Sequence, residues 1–174
     1  MPSKTATTPL QELWEILLAV LDKSGDSTRS GQEVSSIRGY ATNQRCETMH
    51  LSAGQAYAIV KRGVPSAVLA PLNAFLDLGK GAAADYLDLG RAAATRKVAR
   101  NEPLPTHAAD SLLRLLELDG IAREAFESPE EAAGWLRRAH PMLDGESPLS
   151  CAKSGFGTQR VKEILAAIKY GGVV

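Results

Sequence analysis

Ser128-Pro129-Glu130-Glu131-Ala132-Ala133-Gly134-Trp135-Leu136-Arg137-Arg138-Ala139-His140-Pro141 decides the fold class of this chain. Ser128 is a good N-cap, Pro129 fits the first turn because its missing N–H has no helical partner there, and Glu131 can close a capping box. Two carboxylates at that end also suit the positive pole of the helix dipole. Ala132, Trp135, Leu136 and Ala139 follow at i, i+3, i+4 and i+7, which predicts one buried helical face, and Pro141 forbids its continuation. Outward from there, Asp144-Gly145 and Ser147-Pro148 are turn chemistry. Val161, Ile164, Leu165 and Ile168 repeat the helical spacing on a short last helix, and Gly171-Gly172 suits a left-handed stop. The reading is two amphipathic helices joined by a rigid Pro/Gly turn.

The rest of the chain supports an all-α fold. Its 174 residues suffice for one ordinary domain or two small ones. Aromatics are only 5%, and no run of β-branched residues reads as a strand. Thr8-Pro9-Leu10-Gln11 is a second capping box, with Leu10, Leu13, Trp14, Leu17, Leu18 and Leu21 behind it, so a helix is expected over 10–22. From Ser24 to about Glu47 the sequence is rich in Ser, Gly, Thr and Gln and reads as a linker or loosely structured arm, with Val34, Ile37 and Tyr40 as its apolar points. Short helices are expected from Ser52 to Lys61, over Val64–Leu76, over Ala82–Leu89 and over Arg91–Asn101. A long one follows over Thr106–Phe126, with Leu112, Leu115, Leu116, Ile121 and Ala125 inward.

A short helix, the Gly90 turn and a second helix with basic residues give the outline of a helix-turn-helix. Net charge is zero, yet residues 61–104 carry 7 basic against 4 acidic side chains, which suits a small nucleic-acid footprint. Arg91, Thr95, Arg96, Lys97 and Arg100 are the candidate DNA-binding residues. Arg donates bidentately to guanine, while Lys and Thr anchor phosphates. The competing reading is a solvated helix face with Val98 pointing inward.

Phe126, Trp135-Leu136, Pro141-x-Leu143-x-Gly145-x-x-Pro148-Leu149, Gly157-x-x-x-Val161 and Tyr170-Gly171 occur in an order and spacing that resembles the toxin-binding domain of Xre/MbcA/ParS antitoxins. Ala70-Pro71-Leu72, Tyr86-Leu87-Asp88-Leu89-Gly90, Thr95-Arg96-Lys97 and Ala109–Leu115 resemble the helix-turn-helix-like region that precedes that domain in the family. The resemblance covers about residues 56–171. Beside the N-terminal helix plus arm read from the residues over 1–50, it implies a helix-turn-helix-like bundle over 51–126 and a toxin-binding domain over 127–174. It also implies a type II antitoxin that sterically blocks the NAD cleft of a RES-type, ADP-ribosyltransferase-like toxin and can repress its own operon. The implied assembly is a homodimer within a hetero-oligomer. Trp135, Arg160, Lys169, Tyr170, Gly171, Val173 and Val174 are the implied toxin-binding residues, with the apolar tail reaching the cleft.

Catalysis has little support. The histidines are His50, His107 and His140. Apart from Cys46 and His50, four residues apart and a pair rather than a cluster, no histidine lies at metal-ligand spacing from another histidine or a cysteine, so no metal or cofactor is expected. Gly155-Phe156-Gly157 lacks the Lys-Ser/Thr ending of a phosphate loop. Cys151 with His140 could be drawn as a nucleophile–base pair, but a small half-buried thiol beside a loop histidine explains both. Cys46 and Cys151 in unrelated contexts, no leader-like N-terminus and no long apolar run point to a soluble cytoplasmic protein. The alternative function is a stand-alone transcription regulator whose C-terminal domain dimerises.

Overall fold

The computed structural model describes residues 7–22 and 50–171. Its α-helices are α1 (Pro9–Asp22), α2 (Ala53–Arg62), α3 (Leu69–Leu76), α4 (Ala82–Tyr86), α5 (Arg91–Ala99), α6 (Thr106–Ala125), α7 (Pro129–Arg137), α8 (Pro148–Cys151) and α9 (Gly155–Lys169). Two 3₁₀ turns, Ser66–Val68 and Pro141–Leu143, complete them, and the fold of the described residues is all-α. The expected arm over 24–47 and the residues Val173 and Val174 lie outside the described residues.

Described residues fall into two compact units, one holding α1 and 53–109, the other 50–52 and 110–171. In the first, α1 turns Leu13, Trp14, Leu17 and Val20 inward and packs on α2 and α3. The α1 capping box is reciprocal: the Gln11 N–H donates to Thr8 Oγ1 at 3.3 Å and the Thr8 N–H to Gln11 Oε1 at 2.8 Å. At its other end Arg62 of α2 donates to the orphan carbonyls of Val20 (3.3 Å) and Leu21 (3.0 Å), where a cation also complements the dipole. Asn73 Oδ1 accepts from the Gly81 and Ala83 N–H groups and so starts α4. Leu17, Ile59, Leu72 and Leu76 are fully buried, each contributing roughly 1.5–3 kcal/mol before chain entropy is charged.

The second unit packs Leu118, Ala122, Ala132, Leu136, Leu143, Ala152, Val161, Ile164 and Leu165 into one core. Lys162 bonds Glu117 at 2.6 Å and Lys169 bonds Glu124 at 2.7 Å. Both pairs span the same sequence separation and lie one heptad apart on each helix, so α6 and α9 run parallel in register.

Several ends differ from the expectation. Helix α7 stops at Arg137, not at Pro141, because Arg138 is already extended (ψ 145°) and His140 caps the next turn, leaving Ala139 exposed. Helix α4 stops at Tyr86 and α5 at Ala99, since Asp88 (φ 54°) and Asn101 (φ 52°) turn left-handed just beyond them. Short polar side chains tolerate that region better than others. Helix α9 begins at Gly155, well ahead of Val161 where its apolar repeat starts, and Ser147-Pro148 opens a one-turn helix rather than a plain turn. Val98, expected inward, is 52% exposed. Helix α5 packs through an arc of Ala93, Ala94 and Lys97, and Val98 falls about 90° from the middle of that arc.

Candidate functional site

Helix α9 carries the expected binding residues of the second unit, and local chemistry fixes where it starts. Ser147 caps α8 and Ser154 caps α9, accepting from the Ser150 N–H (3.2 Å) and the Gly157 N–H (3.0 Å). The buried Thr158 hydroxyl lies 3.1 Å from the Ala152 carbonyl and 2.9 Å from that of Ser154. A Cβ on Gly157 would run into the Cys151 backbone carbonyl, so the α8–α9 corner closes only on glycine.

Inward, α9 buries Val161, Ile164 and Leu165, with Ile168 half-buried. Outward stand Phe156, Gln159, Arg160, Glu163, Lys169 and Tyr170. Arg160 pairs with Asp144 of the preceding turn at 2.9 Å, and Gln159 donates to Glu163 at 3.1 Å. Lys169 meets Glu124, and its Nζ is 5.9 Å from the centre of the Tyr170 ring. Gly171 (φ 69°) ends the helix left-handed, as the sequence predicts. Arg160 and Lys169 therefore share α9, about 13 Å apart along the axis and on opposite sides of it, while Tyr170 caps the helix and Gly171 follows.

Trp135 is placed differently. It is half-buried against the core, in a row with Phe126 (ring centres 5.7 Å apart) and His140 (5.7 Å). The His140 Nδ1 accepts from the Met142 N–H, and Cys151 is half-buried against the core, so each has a structural task. Among the described residues no group of three or more His, Cys, Asp or Glu could hold a metal. No helix there is long and apolar enough to cross a membrane.

Glu124 is a junction the sequence did not reveal. Its Oε2 meets Lys169 and its Oε1 meets His50 Nε2 at 2.5 Å. Lys169 and then His50 hold its carboxyl below the ordinary range. Burial pushes the Asp119 carboxyl up, against the pull of Arg123 at 2.6 Å and of Arg137.

The DNA candidates of the first unit are mostly engaged. Arg91 pairs with Asp85 at 2.9 Å, and Thr95 donates back to the Arg91 carbonyl at 3.0 Å. Lys97 donates to the Pro103 carbonyl at 3.2 Å and lies 3.5 Å from Glu102, which Arg100 also approaches at 3.7 Å. Arg96 is exposed with no ion pair among the described residues. Two further outward side chains, Phe156 and Met142, were not singled out from sequence. Phe156 falls off the apolar repeat of its helix, which was the available signal.

Residues 122–171 match the family described as the antitoxin Xre/MbcA/ParS C-terminal toxin-binding domain. The segment includes the last turn of α6, all of α7 to α9 and the outward side chains just described. The chain is also 30% identical over 122 residues to the "Prs ADP-ribosylating antitoxin" of Sphingobium sp. (strain YBL2), an alignment covering 65% of this chain and 77% of that protein. The shared segment, its helical frame and the extended likeness agree: the chain belongs to the Xre/MbcA/ParS antitoxin family.

Proposed function

We propose that this antitoxin neutralises a RES-type, ADP-ribosyltransferase-like toxin by covering its NAD cleft with the C-terminal end of α9 and the residues after it. The observation that carries the reading is Tyr170. It stands 81% exposed at the end of a helix anchored by the Lys169–Glu124 pair, inside the segment that matches a toxin-binding domain. The name of the Sphingobium relative includes ADP-ribosylation, a reaction that consumes NAD, which suits a cleft of that kind. The antitoxin acts as a steric plug in the cytoplasm, with no catalytic group or cofactor of its own, as a homodimer within a hetero-oligomer. Exposed Arg96 on α5 supports repression of its own operon, because α5 is the second helix of a helix-turn-helix outline.

Removal of residues 170–174 tests the plug. The cut follows the last core-directed residue, Ile168, so the melting temperature should barely move. NAD turnover by the toxin mixed with truncated antitoxin should recover. Equal inhibition by full-length and truncated chains would place the blocking surface elsewhere, on α7 or the Pro141–Pro148 turn.

A further inference from the structure

We infer that Phe156 is a second toxin anchor, and that the toxin docks along the whole outer stripe of α9 rather than at its C-terminal end alone. The inference rests on the antitoxin reading above and deepens it. Phe156 is 95% exposed and Tyr170 81%, the two most exposed large apolar side chains among the described residues. Both belong to α9 or its cap and to the segment that matches a toxin-binding domain. Fourteen residues separate them, about 21 Å along the axis and about 40° around it. Arg160, Glu163 and Ala167 fall on the same stripe, at i+4, i+7 and i+11 from Phe156. Val161, Ile164, Leu165 and Ile168 hold the opposite side against the core.

An aromatic side chain standing in water contributes nothing to the fold, yet this one is rigidly presented. Ser154, Gly157 and Thr158 fix the turn that carries it. Aromatic side chains on pre-ordered elements are the usual anchors of an interface, since little entropy is lost when they bind. Between the two rings Arg160 is paired with Asp144 and Glu163 only accepts from the neutral Gln159 amide, so the apolar ends carry the recognition and Glu163 keeps its charge. The matching surface is a pair of apolar hollows about 20 Å apart.

A second copy of this chain fits the stripe badly. An antiparallel pair that set Phe156 against Tyr170 of the copy would put its two-fold axis at Glu163, the midpoint. Two Glu163 carboxylates would then face each other, and like charges juxtaposed in an interface are repulsive. A toxin carries no such constraint.

The test measures binding of full-length antitoxin to the purified product of the reading frame beside its gene, by biolayer interferometry, for wild type, F156A and Y170A. The mass of each antitoxin alone is measured by light scattering, and its melting by circular dichroism. F156A should weaken binding at least about thirtyfold, with melting and mass unchanged. Unchanged affinity in F156A, with wild type binding normally, overturns this inference and leaves the antitoxin reading intact. A drop in the mass of F156A alone, with toxin affinity retained, assigns the stripe to a second copy and overturns it as well. Failure of the wild type to bind overturns both.

Discussion

Gly157 sets the geometry of α9 with no side chain at all. It lies in the first turn of α9, where the chain passes against the Cys151 carbonyl, and any Cβ meets backbone that cannot step aside. Gly155, two residues earlier, has open space around its Cβ position. Gly157→Ala should therefore cost at least about 3 kcal/mol, through displaced backbone. Gly155→Ala should be neutral or stabilising by about 0.5 kcal/mol, because alanine loses less conformational freedom on folding. Urea unfolding of both variants checks this, and equal midpoints would mean that the α8–α9 corner is not closed by glycine. At this scale the sequence was half legible. The pair of glycines was visible, but periodicity says nothing about which of them another segment approaches. Asp119 was hidden in part for the same reason: Arg123 at i+4 was a legible partner, but the burial of the carboxyl follows from how the second unit packs.

Helices α6 and α9 are held in parallel by Glu117–Lys162 and Glu124–Lys169, and the second pair borders Tyr170. Glu124 also takes His50, so one carboxylate joins the end of α6, the end of α9 and the stretch that precedes α2. Because Lys169 and His50 lower its folded-state pKa below that of the unfolded chain, Glu124 stabilises the fold fully above the unfolded pKa. That contribution is lost as pH falls below about 4.5 through the depressed folded value. Glu124→Gln should thus lower the urea midpoint at pH 7 and lose less on acidification than wild type. The effect is modest, since all three side chains are partly exposed. Parallel pH profiles for the two proteins would show that the junction carries no linkage. Elements were the most legible scale. Thr8, Ser128 and Gly171 start and stop helices where their chemistry predicts. The exceptions were ends set by Asp or Asn in the left-handed region, which tolerate that conformation without demanding it, the end of α7, where the chain is extended from Arg138, the start of α9 ahead of its apolar repeat, and α8, whose single turn is too short for a period.

Across the whole chain, the two proposed binding roles sit on separate cores. The ion pairs of α5, to Asp85 and Glu102, are drawn within the first unit, and those of α9, to Asp144, Glu117 and Glu124, within the second. The all-α class was legible because nearly every segment repeats at helical spacing. The division was less so, since α6 runs unbroken through the boundary at residues 109–110. Because each surface rests on its own partners, damage to one should leave the other intact. R96A/K97A/R100A should reduce the salt dependence of operator binding by about one unit for each phosphate no longer neutralised. Most of that change should come from Arg96, because Lys97 and Arg100 share Glu102 while Arg96 has no such partner among the described residues. Melting should fall little, as exposed pairs of this kind contribute about 1 kcal/mol or less. Toxin affinity should stay within about twofold of wild type, a change too small to reflect any shared network. Titration of one protein preparation against operator DNA at several salt concentrations, and against the toxin, gives both numbers. An unchanged salt slope would remove α5 from the DNA surface. A tenfold loss of toxin affinity in the same variant would show that the two units are energetically coupled.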